Sequence, residues 1–180
     1  YDSQSGMIPR PVHMPDKVAP GGSDAEAEEL RAEMYRAVRE LLPEEGPTGV
    51  LLSGGIDSSA VAAMAAPQAQ QLIAFTAGTE GSDDLGYARS VADLFGLEHH
   101  EYVFDAGEAR RVLPEVIYHL ESFDYPLVRS AISNFMASRV ASDHVAVVLC
   151  GEGADELFAG YDELKAITDD GELADHLKAL

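Results

Sequence analysis

Leu51-Leu52-Ser53-Gly54-Gly55-Ile56-Asp57-Ser58-Ser59 joins the apolar run Thr48–Leu52 to a helical pattern from about Asp57 to Ala66. A glycine turn between a buried strand and a helix is the unit from which parallel α/β sheets are built. Glycines let the backbone pass close to a ligand. Hydroxyls at Ser53, Ser58 and Ser59, with free N–H groups at a helix start, suit phosphate oxygens. Asp57 would clash with phosphate unless it held a Mg²⁺ ion that bridges the two. No Gly-Lys-Ser/Thr ending follows, which disfavours a Walker-type NTPase. The purely structural alternative is a tight turn with Asp57 capping a helix. The complete Ser-Gly-Gly-x-Asp-Ser string between strand and helix favours phosphate binding over that alternative.

Outward from this loop, short apolar runs alternate with helical patterns. Upstream, Ser23-Asp24-Ala25-Glu26 is a capping-box pattern, and Ala27, Leu30, Met34, Ala37, Val38 and Leu41 recur at helical spacing. They predict a helix over 24–42. Downstream, Gln71–Thr76 and Glu98–Phe104 read as strands, separated by a helix from about Asp84 to Phe95 with Gly96 as its stop. Residues 106–122 read as helical, in two pieces because of Pro114. Ser130–Ser142 predicts a further helix, Val145–Leu149 a fourth strand, and a short helix follows the next glycines. The alternation implies a three-layer α/β domain: a mostly parallel twisted sheet with helices on both faces. Right-handed crossovers gather the strand-to-helix loops at the carboxyl ends of the strands, where such sheets bind ligands. Residues 1–22, rich in proline and glycine, read as an extended arm or linker, 23–168 as the folded domain and 169–180 as a tail. No internal repeat is evident.

Composition narrows the function. Of 180 residues, 46% are hydrophobic, enough for one domain with its own core. Apolar runs such as Val145–Cys150 are far too short to span a bilayer, and no signal-like segment opens the chain. A single cysteine, Cys150, excludes an internal disulfide framework and fits a reducing compartment, so a cytoplasmic location is expected. Twelve basic against 32 acidic residues give a net charge of −20. That field repels nucleic acid, and it would repel a nucleotide unless metal ions and backbone N–H groups compensate locally. Many acids, few lysines and much alanine point to a salt-loving source.

A second loop follows the fourth strand: Cys150-Gly151-Glu152-Gly153-Ala154-Asp155-Glu156-Leu157-Phe158-Ala159-Gly160-Tyr161. Three acids surround two glycines beside an expected phosphate site, which calls for a metal or for proton transfer.

The first loop resembles the PP-loop of the ATP pyrophosphatase family, whose members break ATP between its α and β phosphates. The second resembles the other signature of asparagine synthetases, usually Ser-Gly-Glu-Gly-Ala/Ser-Asp-Glu-Leu-Phe-Gly-Gly-Tyr. The likeness covers roughly residues 27–165, so 23–168 is expected to be a PP-loop ATP-binding synthetase domain of the adenine nucleotide α-hydrolase type. It implies ATP and Mg²⁺ as cofactors. Asp57 and Asp155 would hold the metal. Glu152 would sit near the reacting carboxyl and take a proton from ammonia. Cys150 and Gly151 would contact the nucleotide, and Leu51 and Ala77 would flank its base. Cys150 replaces the usual serine and Ala159 a glycine. As a residue, Cys150 reads as small, buried and apolar rather than nucleophilic, because Glu152 nearby opposes a thiolate. Glu156 reads as a helix-start acid.

Between the loops, Ser82-Asp83-Asp84 resembles the family's acidic turn, with Asp84 alternatively an N-cap. Glu98-His99-His100-Glu101 looks metal-like, but adjacent strand residues point to opposite faces, so the imidazoles are expected to be structural. Arg129 suits a carboxylate or phosphate, its alternative being a surface or helix-start salt bridge. Ser133 stands where the family often has proline.

The implied reaction activates aspartate as β-aspartyl-AMP with release of pyrophosphate, after which ammonia displaces AMP to give asparagine. The alternatives are an intramolecular amide synthetase of β-lactam or lasso-peptide cyclase type, and a nucleotide-binding module without turnover. Family members that use glutamine begin with a glutaminase domain and a cysteine nucleophile. This chain begins with Tyr1, so ammonia is expected free, from a glutaminase subunit, or from a missing region. Past Leu180 the family carries helices and a pyrophosphate-contacting lysine to which neither Lys165 nor Lys178 is assigned, so a fragment or an abbreviated homologue is expected. A homodimer is a further partner expectation; nucleic acid and membrane are not.

Overall fold

The computed structural model describes residues 23–158 together with Gly160, Tyr161 and Ile167. The expected arm (1–22) and tail (169–180) lie outside the described residues. The elements are α1 Asp24–Leu41, β1 Thr48–Leu51, α2 Ile56–Ala65, β2 Leu72–Gly78, α3 Asp83–Phe95, β3 Glu98–Val103, α4 Ala106–Leu120, α5 Tyr125–Ala141, β4 Val147–Leu149 and α6 Ala154–Phe158. The chain divides between Glu33 and Met34, inside α1. On the amino-terminal side, the capping box forms: the Glu26 N–H donates to Ser23 Oγ at 3.3 Å and the Ser23 N–H to Glu26 Oε2 at 2.6 Å.

On the other side, four parallel strands run in the order β3-β2-β1-β4. β2 and β3 add on one side of β1. The chain then returns to place β4 on the other side, and the direction of growth reverses there. Strand alternation feeds two cores. Val50, Leu52, Leu72 and Ala74 pack with Ala62 and Ala65 of α2, Ala88 and Ala92 of α3, and Val38 of α1. Ile73, Phe75 and Ala77 face the opposite way, toward Val112 and Val116 of α4 and Met136, Ala137 and Ala141 of α5. All seven residues of β2 are buried, as expected for a central strand covered on both faces. No helix among the described residues is long and apolar enough to cross a membrane.

Two boundaries correct the expectations. α4 is one helix, with Pro114 inside it. Pro114 and Arg110, whose carbonyl loses its donor, are both exposed, so the break falls on the solvent side while the buried Val112 and Val116 hold the flanking turns. α5 starts at Tyr125, not Ser130. Asp124 Oδ1 accepts from the Leu127 N–H at 3.1 Å, and Pro126 falls in the first turn, where a missing N–H breaks no bond.

The paired histidines separate as alternation requires. The His100 ring stacks on Phe75 and touches His144, with centroids 5.4 and 4.2 Å apart. On the opposite face His99 Nε2 lies 2.8 Å from Thr76 Oγ1. Burial holds the His99 imidazole below its ordinary pKa, with Glu101 acting against it. The Arg89 guanidinium grips Glu101 bidentately, Nε to Oε1 at 2.8 Å and Nη2 to Oε2 at 2.6 Å. Those hydrogen bonds are the main reason the Glu101 carboxyl sits below its usual 4.5. Its contribution to stability is therefore complete above that value and is lost as pH falls through the lowered folded-state pKa. Glu101→Gln should flatten the acid side of a stability–pH curve measured by urea unfolding.

Candidate functional site

β1 and β4 are hydrogen-bonded neighbours whose growth directions diverge, so the segments leaving their carboxyl ends flank a crevice. A cavity of about 420 Å³ opens there. Leu51, Ser53, Asp57, Ser58, Ala77, Arg129, Cys150, Gly151, Glu152 and Asp155 all line it. Gly54, Gly55 and Ser59 are not on its wall.

The glycines have mechanical duties. Gly54 has φ +80°, and a Cβ there would lie 2.4 and 2.5 Å from the backbone of Tyr87 and Ala88 on α3. Gly151 brings the second loop against the first: a Cβ there would lie 2.9 Å from Asp57 C and Ser58 N. The missing side chains thus let protein segments approach one another. The serines also serve the loop's shape. Ser58, almost wholly buried, accepts from the Ser53 N–H at 3.2 Å, lies 3.0 Å from Ser53 Oγ, and donates to the Gly55 carbonyl at 3.3 Å. Ser53 Oγ accepts from the Gly55 N–H at 3.3 Å. Ser59 Oγ is buried without a hydrogen-bond partner among the described residues.

Charge on the wall is one-sided. Asp57, Asp84, Glu152, Asp155 and Glu156 line the cavity with, among the described residues, a single cation, Arg129. Arg129 lies within α5 rather than at its start. It is exposed, lines the cavity and has no ion-pair partner among the described residues. Asp84 is not an N-cap; Ser82 occupies that position and Asp84 lies in the first turn of α3. No group of three metal-ligating side chains occurs among the described residues. Two aspartates, one from each loop, are too few for a protein cage but suit Mg²⁺, which takes one or two carboxylates with phosphate oxygens and water. The donor set therefore fits the metal.

In the second loop, Glu152 Oε1 accepts from Asn134 Nδ2 of α5 at 2.9 Å. Cys150 is exposed, against the expectation of a buried apolar residue: β4 ends at Leu149 and the next residue emerges at the sheet's carboxyl edge. Glu156, in the first turn of α6 as expected, accepts from Tyr161 Oη at 2.5 Å. That bond pushes the Tyr161 phenol up to about 12 and holds the Glu156 carboxyl down. Thr76, whose Oγ1 donates to the Leu52 carbonyl, also lines the cavity, and missing from the expectations was Asn134. Arg129, Ser130, Ser133 and Asn134 recur at helical spacing on the cavity side of α5, a pattern visible once the helix is started at Tyr125.

Comparisons with known proteins give a family and a fold. The family model for asparagine synthase matches residues 29–177. An asparagine synthetase (glutamine-hydrolyzing) from Triphysaria versicolor is 41% identical over 143 residues, 73% of this chain and 24% of that protein. A probable asparagine synthetase (glutamine-hydrolyzing) from Schizosaccharomyces pombe is 39% identical over 152 residues, 73% of this chain and 27% of that one. The chain thus spans about a quarter of the length of the curated relatives it matches. Among solved structures, the NH3-dependent NAD synthetase from Campylobacter jejuni superposes with a TM-score of 0.53 at 18% identity, covering 74% of this chain and 60% of its own. The NMN synthetase from Francisella tularensis gives 0.52 at 19%, covering 73% and 58%. These two share the fold: an α/β sheet of the PP-loop type.

Proposed function

The chain belongs to the asparagine synthase family, and on that premise we propose that it forms the ATP-binding synthetase portion of a ligase that converts aspartate to asparagine. The observation that carries the proposal is the meeting of Asp57 and Asp155, from two separate loops, on one cavity at the divergence of β1 and β4. ATP would lie with its base near Leu51 and Ala77 and its phosphates toward the first loop. An aspartate β-carboxylate oxygen would attack the α-phosphorus in line, releasing pyrophosphate and leaving β-aspartyl-AMP. Mg²⁺ held by Asp57 and Asp155 would neutralise charge on the phosphates. Arg129 would pair with a substrate carboxylate. Glu152 would take a proton from the ammonia that displaces AMP. A glutaminase region or subunit would supply the ammonia when glutamine is the nitrogen source.

The testing experiment follows pyrophosphate and asparagine in mixtures lacking one component at a time. Pyrophosphate release should require ATP, Mg²⁺ and aspartate, and asparagine should appear only when ammonium is added. Pyrophosphate without asparagine would exclude this reaction in favour of another acyl transfer, and nucleotide binding without pyrophosphate would exclude turnover. Occupancy has its own reporter. The only cysteine in the sequence lines the cavity and is exposed, so ATP with Mg²⁺ should slow its alkylation by iodoacetamide roughly tenfold at ten times Kd. Equal rates with and without nucleotide would place ATP elsewhere.

A further inference from the structure

Glu152 is exposed on a loop with a glycine on each side, and Gly153 has φ +92°. A carboxylate so mounted has wide rotamer freedom, and a proton acceptor must be oriented to act. Among the described residues one hydrogen bond restrains it, from Asn134 Nδ2 to Oε1 at 2.9 Å. An ionised carboxylate only accepts, so the amide must present its nitrogen, which fixes which way Asn134 faces. Asn134 is itself set on a rigid element: Met136 and Ala137 beside it are buried in the core under β2. The loop's acid is thereby tied to the helix that also carries Arg129.

We propose that Asn134 is the positioning residue for Glu152, holding Oε1 so that Oε2 receives the proton of the incoming amine. This rests on the function proposed above. In that step the amine nitrogen bonds to the acyl carbon, the bond from that carbon to the AMP oxygen breaks, and AMP leaves with the electron pair. One proton passes from nitrogen to Glu152 Oε2. Adenylation needs no such proton transfer, so Asn134 governs the second half-reaction and not the first.

The two halves can be read separately, with aspartate-dependent exchange of labelled pyrophosphate into ATP for the first and asparagine formation from ammonium chloride for the second. Asn134→Leu keeps the side-chain branching and removes the donor. It should leave exchange within about twofold of the unaltered protein, which also certifies folding. The kcat for asparagine should fall roughly 10- to 100-fold, with the KM for aspartate unchanged. Asn134→Gln, with a donor on a longer arm, should recover part of that rate. Asn134→Asp, which sets like charges together, should not. Equal loss in both half-reactions, or no loss in either, would overturn the assignment and leave the proposed function standing. Absence of exchange in the unaltered protein would overturn the proposed function and this assignment with it.

Discussion

Asp57→Asn and Asp155→Asn should each weaken ATP binding in Mg²⁺ by roughly 100-fold, about 2.7 kcal/mol. Both substitutions keep the side-chain shape, remove the charge and turn one acceptor oxygen into an NH2 donor. The reason for so large an effect is the wall itself, where, among the described residues, five carboxylates oppose one guanidinium. A triphosphate entering that field is repelled until a cation is bound, and each loop contributes one aspartate toward holding it. The two aspartates act through one ion, so the double variant should lose little more than either single variant. Isothermal titration with and without EDTA makes the check. Chelation should weaken binding to the unaltered protein to the level of the variants and change the variants little. Full-strength binding by Asp57→Asn in Mg²⁺ would remove that residue from the metal site.

Gly54→Ala should destabilise the fold by about 2–5 kcal/mol. The left-handed backbone adds about 1–2 kcal/mol, and forcing a methyl group against a packed neighbour adds about 1–3. The new atom would meet the backbone of Tyr87 and Ala88, which cannot swing aside as a flexible side chain can. Two comparisons isolate the causes. Gly81 has φ +78° with nothing within 4 Å of its absent Cβ, so Gly81→Ala should lose only the conformational part, about 1 kcal/mol. Gly55, at φ −66° with only Ser53 Oγ at 3.4 Å, should accept alanine with stability nearly unchanged. Urea unfolding of the three variants tests the order. Equal stabilities for Gly54→Ala and Gly55→Ala would show that α3 does not bear on the loop.

These glycines mark where sequence reasoning stopped. Ser-Gly-Gly-x-Asp-Ser announces a special turn, and close approach to a ligand was the natural inference. Which partner Gly54 approaches depends on α3, more than thirty residues downstream. Tertiary contacts of that range leave no local pattern. The strand and helix order was legible, because periods of two and 3.6 are local properties, and β2 declared itself through the apolar run Leu72–Phe75. Pro114 misled because its cost depends on which face of α4 turns outward. The start of α5 was hidden because a proline in a first turn reads as a break until the cap at Asp124 is recognised. In the site, charged residues in the two loops were visible from their strings. Asn134 was not, since a neutral amide on a helix acquires meaning only from the carboxylate folded against it. Cys150 was read as buried from its residue type, whereas its exposure is set by where β4 ends.

The central claim is that an aspartate carboxylate is adenylated in this cavity. Its most direct test is to supply aspartate labelled with oxygen-18 in the β-carboxylate, together with ATP, Mg²⁺ and ammonium, and to weigh the products. The carboxylate oxygen that attacks the α-phosphorus must leave with AMP, so one label should appear in AMP and none in pyrophosphate, with asparagine formed in equal amount. Unlabelled AMP, or ADP and phosphate in its place, would contradict the account.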